Sequence, residues 1–157
     1  MSLIFHELLH LIFSFSIGFF VWRLYKKPVF SFFAALIGGF FVDVDHFVDY
    51  FIAFGTRFNL YYFLEGYHFL KSDKVYVPLH AWEWVIVLFF IAFLIKKRLR
   101  LNISLKKLIL TILLASALGL FSHLLIDLKL NNMTFADYSI LFRLKNDFSL
   151  QKLISYD

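Results

Sequence analysis

No cysteine occurs among the 157 residues, so thiolate metal sites and disulfides are excluded and any metal must be held by His, Asp or Glu. Basic side chains are missing from the apolar segments. All sixteen Lys and Arg lie in connections, in the C-terminal stretch or at a segment's edge, as Arg23 does. The N-terminus has no basic region before its first apolar run and no small-residue cleavage site after it, which makes that run an expected uncleaved span. No internal repeat is apparent. What is abundant is apolar surface: 61% hydrophobic residues, 23 of them Phe, and a mean hydropathy of +0.76, beyond what a soluble domain hides. The formal charge of +5 sits in short clusters beside apolar runs, the pattern of juxtamembrane loops, and this argues against nucleic-acid binding.

A membrane crossing takes roughly 20 mostly apolar residues. Four segments approach this, about 3–24, 29–54, 79–95 and 105–128, which predicts a single all-α domain over 1–157: a polytopic bundle of four transmembrane helices with a tail at 129–157. The basic connections RLYKKP (23–28) and KKRLRLNISLKK (96–107) are placed in the cytoplasm by the positive-inside bias. The chain is then a multi-pass protein of the cell (inner) membrane, with both termini and the long connection 55–78 outside. Ile140, Leu141, Leu144 and Phe148 have helical spacing and predict a tail helix along the interface, and the aromatic 55–78 stretch suits the same belt. Ala34, Ala35, Gly38 and Gly39, like Ala115 and Gly119, are small-residue pairs that let helices approach closely.

Ionisable residues inside the spans carry the chemistry. Glu7, Asp43, Asp45, Asp49, Glu83 and Asp127 fall in apolar segments, as do His6, His10, His46, His80 and His123. Each such group at membrane depth costs about 2.5 to 3.5 kcal/mol on insertion scales and marks a site or an ion path. Their heights agree. His10 lies 13 residues from Arg23, Asp43 15 from Pro28, Glu83 13 from Lys96 and His123 16 from Lys107. At about 1.5 Å per residue, these and their neighbours stand roughly 20 to 30 Å from the basic loops, in one polar layer near the outward, non-cytoplasmic end. Within spans, His6/His10, Asp45/Asp49 and His123/Asp127 are i, i+4 and His80/Glu83 is i, i+3, so each helix can turn two ligands inward. Imidazole mixed with carboxylate suits zinc, with iron or manganese as alternatives. His68 has no partner at helical spacing and is left outside the expected site.

The segments HELLH (6–10), GGFFVDVDHFVDY (38–50), PLHAWEW (78–84) and SHLLIDL (122–128) resemble the bacterial and archaeal integral-membrane proteins known as metal-dependent hydrolases, a family distantly similar to zinc-dependent phospholipase C. The resemblance covers all four spans in order. It departs from the common form in having Val42 before Asp43 and no His-Arg-Gly segment. It implies metal contacts for His10, Asp43, Asp45, His46, His80, Glu83, His123 and Asp127, with Asp49 in or just behind the ligand shell. Asn131, Tyr138 and Arg143 are similar to a less specific tail pattern, with Arg143 holding a substrate anion.

The expected function is metal-dependent hydrolysis of an ester, foremost a phosphoester of a lipid or other amphiphile, with Asp49 or Asp43 as general base. The alternative is a divalent-cation or proton binding or transport protein. Against transport, the inner halves of the spans carry almost no polar residues. Haem ligation by two histidines is disfavoured by the density of carboxylates around them.

Overall fold

The computed structural model describes residues 3–131 and 133–154; the last three residues of the expected tail lie outside them. The described chain is all-α, with no strand. Helix α1 (Leu3–Tyr25) ends where Lys26 takes a left-handed φ of 59°. Pro28, whose missing N–H costs nothing in a first turn, opens α2 (Pro28–Gly39).

The second expected span is not one helix. Phe40 leaves helical geometry at φ −126°, a 3₁₀ turn follows over Phe41–Asp45, and α3 (His46–Phe54) departs at 50° to α2. Two short helices, α4 (Leu60–Leu64) and α5 (Tyr67–Ser72), fill the long connection. An irregular segment then leads to α6 (Trp82–Lys97), which starts three residues later than the expected third span. Asn102 caps α7 (Ile103–Leu130) by accepting from Leu105 N at 2.7 Å.

Phe5–Tyr25 and Ile103–Leu130 are long and apolar enough to cross a membrane, and the bent pair Pro28–Gly39 with Phe41–Phe54 makes a third if counted as one span. Helix α6 has 16 residues, about 24 Å at 1.5 Å each, and alone falls short of a ~30 Å hydrocarbon core.

Helix α7 packs against α1, α2 and α6. Its contact with α2 is the tightest, because small residues face each other there: a Cβ on Gly38 would meet Ser116 O at 2.2 Å, and one on Gly119 would meet Ala35 O at 2.7 Å. Toward the basic loops Val21, Ala34, Ala35 and Ala115 are buried together, and Ser116 Oγ donates across the interface to Ala34 O at 3.2 Å. Outward-facing Phe20, Phe33, Ile86 and Phe90 are exposed, so the perimeter is apolar as well.

The tail does not form the expected interfacial helix. It breaks into a 3₁₀ turn (Ala136–Tyr138), α8 (Ile140–Lys145) and α9 (Leu150–Ile154), and folds back over residues 73–83. Ser149 pairs with Lys74 as an isolated bridge, and Leu150 N donates to Asp73 O at 3.1 Å. Arg143 is fully buried, while Leu141 and Leu144 of the same helix are exposed. The helix thus turns its cation inward.

Candidate metal centre

Two carboxylates organise a cluster of histidines drawn from across the fold. Asp127, near the C-terminal end of α7, has Oδ1 2.8 Å from His6 Nε2 and 3.1 Å from His10 Nε2. Its Oδ2 lies 3.2 Å from His123 Nε2 and 3.6 Å from His80 Nε2. Asp43, in the 3₁₀ turn, has Oδ1 3.1 Å from His80 Nε2 and 3.5 Å from both His46 Nε2 and His123 Nε2. The His10 ring stacks on His123 at 4.0 Å. The break after α2 leaves Asp43 in the 3₁₀ turn and His46 at the start of α3, both beside the residues of α7.

The tautomers follow from the partners on the far side of each ring. His123 Nδ1 lies 3.1 Å from Gly39 O, and a carbonyl only accepts, so this nitrogen carries the proton. His80 Nδ1 lies 2.9 Å from Asp45 Oδ1, an ion-pair distance without hydrogen-bond alignment. With His80 in the same Nδ1–H tautomer, two Nε2 lone pairs would face each other at 2.9 Å with carboxylate oxygens alongside. Lone pairs so arranged repel. A proton on one Nε2, or a metal ion between them, removes the repulsion, and a carboxylate or carbonyl behind the imidazole is the usual support of a metal-binding histidine.

The donor set fits an ion. His6, His10 and Asp127; His10, Asp43 and His123; Asp43, His46 and His80; and His80, His123 and Asp127 each offer three potential ligand atoms within 4.8 Å of one another. His10, His80, His123 and Asp127 are buried, whereas Asp43 and His46 are partly open. The centre therefore has a closed back and an accessible front.

Of the expected ligands, His10, Asp43, His46, His80, His123 and Asp127 meet here. Asp45 and Glu83 are directed elsewhere. Asp45 is spent behind His80, its Oδ2 accepting from Leu79 N at 2.7 Å. Glu83 faces the tail, where Oε1 accepts from Ser139 Oγ at 2.6 Å and Leu141 N at 3.2 Å. Asp49, expected as a base, accepts from Tyr76 N at 2.7 Å and Val77 N at 2.9 Å, so both its oxygens clamp main chain. Arg143, expected to hold a substrate anion, donates instead to Val77 O at 3.2 Å and His80 O at 2.8 Å. Burial lowers its pKa, while the carboxylates of Asp45, Glu83 and Asp49 pull it back up.

His6 joins the cluster although it was not among the expected ligands; its i, i+4 relation to His10 was the available signal. His68 carried no such signal. It is buried on the wall of a cleft, packed on Phe69 at 4.1 Å, with its ring 6.2 Å from that of His46. This cleft, of about 420 Å³, opens in front of Asp43 and His46. Its polar end has His6, Glu7, Asp127 and Asn131, and its walls are Phe40, Phe41, Val44, Phe47, Phe63, Leu64 and Phe69. The connection 55–78 thus covers part of the site through α4 and α5. Asn131 also donates to Tyr138 OH at 3.3 Å, and burial raises the Tyr138 hydroxyl above its usual pKa. A second, more open hollow of about 490 Å³ among Tyr61, Tyr62, Tyr67 and Lys71 contains no member of the cluster.

No family model matches the chain, and neither a curated protein nor a solved structure matches it.

Proposed function

We propose that this chain is a four-span membrane protein with a divalent-metal centre, probing an ester at the membrane surface as a hydrolase, foremost a phosphoester of a lipid or other amphiphile. One observation carries the metal reading: the facing Nε2 atoms of His80 and His123, 2.9 Å apart, with the His123 Nδ1 proton committed to Gly39 O and Asp45 Oδ1 2.9 Å behind His80 Nδ1. Asp43 and Asp127 converge on the same two nitrogens and add oxygen ligands to them. Asp127 faces one histidine pair with each oxygen, His6 and His10 with Oδ1 and His80 and His123 with Oδ2, an arrangement suited to a carboxylate spanning two ions. Zinc fits this donor set, and iron and manganese fit it too.

A bound divalent ion supplies a water of lowered pKa and polarises the attacked phosphoryl or carbonyl oxygen. The chain's own residues define the rest. Asp43 is partly open and its Oδ2, though itself buried, has no hydrogen-bond partner, so Asp43 is the carboxylate with an uncommitted oxygen for a proton from a water held in the cluster. Asp49 lacks a free oxygen for that role. The cleft offers a polar end beside the cluster and aromatic walls beyond it, the partition an amphiphile requires.

In the four-span reading, α6 is completed by the segment before Trp82, and the basic loops 23–28 and 96–107 lie in the cytoplasm. The centre then opens toward the non-cytoplasmic face of the cell membrane. Transport is the weaker alternative, because toward the loops Val21, Ala34, Ala35 and Ala115 are buried and the hydroxyls of Ser14, Ser31 and Thr111 are taken up by main-chain carbonyls four residues back.

The test is elemental analysis of protein purified in lipid nanodiscs, wild type beside a His80→Ala/His123→Ala double variant, followed by an ester screen. Zinc, iron or manganese at about one or more per chain, lost in the variant, together with phosphoester turnover, supports the reading. Metal without turnover of any ester leaves a binding protein. No metal after reconstitution ends the proposal.

A further inference from the structure

His80 is the one candidate ligand that no regular helix holds. It follows Val77, whose φ of 27° is strained for a β-branched residue, and it precedes the first turn of α6. Something must hold this segment in place. From the α3 side, Asp49 accepts from Tyr76 N and Val77 N, and Asp45 accepts from Leu79 N and faces His80 Nδ1. Trp84 Nε1 of α6 donates to Pro78 O at 2.7 Å, and from the tail Arg143 reaches in.

We infer that Arg143 is a positioning residue for His80. Its guanidinium bridges the two carbonyls that bracket the turn, Val77 O at 3.2 Å and His80 O at 2.8 Å, and the residue is fully buried. One planar fork that donates to residues 77 and 80 fixes the separation of the turn's ends, which a flexible ammonium does less well. The same cation is the buried positive charge nearest in kind to what Asp45 and Asp49 need, and both carboxylates act on it electrostatically. Asp45 Oδ1 stands 2.9 Å behind His80 Nδ1, and with the turn held there Nε2 points toward Asp43, Asp127 and His123.

The tail thus contributes to the centre without touching it. Two of its other attachments lie further along the chain: Ser149 Oγ donates to Asp73 Oδ2 at 2.8 Å and Gln151 N to Asp73 Oδ1 at 3.0 Å. These hold the tail down but do not reach His80. They supply the control that separates positioning from general loosening.

The inference rests on the metal reading only for the first of two measurements. In nanodiscs, Co²⁺ affinity and the Co²⁺ ligand-field spectrum are compared in wild type, Arg143→Met, Arg143→Lys and Asp73→Asn. In metal-free protein, the rate of His80 modification by diethyl pyrocarbonate is followed by mass spectrometry in the same set. Arg143→Met should weaken Co²⁺ binding about 10-fold, in the range for lost supports behind a ligand, and shift the spectrum. Arg143→Lys, which keeps the charge and part of the donor set, should recover much of both. Asp73→Asn should lower the melting temperature with the spectrum unmoved.

His80 should likewise be modified severalfold faster in metal-free Arg143→Met and at the wild-type rate in Asp73→Asn. If wild type binds no Co²⁺, the metal reading falls and the modification rates alone decide the positioning role. Wild-type affinity, spectrum and His80 reactivity in Arg143→Met would overturn the inference. Equal changes in Asp73→Asn would also overturn it, by reducing Arg143 to one staple among several.

Discussion

Gly39 O accepts from His123 Nδ1 at 3.1 Å, and through this contact the packing of two helices sets the chemistry of a side chain. The carbonyl is within reach only because α2 and α7 approach at Gly38, Gly39 and Gly119. Gly38→Ala drives a methyl against the backbone at Ser116, so the helices must separate. Overpacking of this kind costs about 1 to 3 kcal/mol. The expected outcome is a lower melting temperature together with weaker metal binding, since the His123 support moves with the helix. Ser116→Gly, which removes a side chain but not the clashing carbonyl, should not rescue it.

The two carboxylates of α3 and its entry turn should separate cleanly in a metal titration. Asp45→Asn keeps a side chain of the same size but weakens the acceptor behind His80 Nδ1, and loss of such a support typically costs 10- to 100-fold in metal affinity. Asp49→Asn removes an acceptor from Tyr76 N or Val77 N and leaves a buried donor without a partner, at about 1 to 3 kcal/mol of stability. Calorimetric metal binding beside thermal melts checks both. Asp45→Asn should change affinity more than stability, and Asp49→Asn the reverse.

Which of these residues would do what was only partly legible in the sequence. Helical spacing brought His6 and His10 together, and likewise His123 and Asp127, because α1 and α7 are regular over those stretches. Equal height above the basic loops brought the histidine-bearing segments together. Asp45 and Asp49 do share a face, as their spacing implied, but that face grips the main chain of 76–79. The His80/Glu83 pairing failed for a physical reason: α6 begins at Trp82, so the two residues are not on one helix, and Glu83 turns to the tail. The broken second span and the return of Arg143 depend on long-range packing, on which local periodicity is silent. His68 reaches the cleft by the folding of α4 and α5, and nothing in its neighbours' spacing marked it.

Removing single members of the cluster should grade the centre. His123→Ala and His80→Ala each delete a nitrogen shared by Asp43 and Asp127, so each should lose most bound metal by elemental analysis. His46→Ala, at the open front, should lose less, because His46 Nε2 reaches only Asp43 Oδ1, at 3.5 Å. Asn131→Ala lines the cleft without joining a ligand group and should retain wild-type metal. Equal metal content in all four variants would remove the ligand assignment.

His68 should make the fold sensitive to acid. Burial chiefly, with the nearby His46 ring adding to it and the Tyr62 main chain opposing it, holds its pKa down at about 4, against 6.5 for a free imidazole. Between those values the unfolded chain binds the proton that the folded chain refuses, so stability rises with pH across the window. The contribution is complete above about pH 6.5 and is lost as pH falls toward 4. Phenylalanine has no proton to take up and suits the ring contacts with Phe63 and Phe69. In His68→Phe the fall in melting temperature from pH 7 to pH 4 should therefore shrink relative to wild type, measured in nanodiscs on metal-free protein so that ligand protonation is common to both. An unchanged acid slope would mean that the folded state protonates His68 as readily as the unfolded chain does, and the aromatic wall of the cleft would then have to open to water below neutral pH.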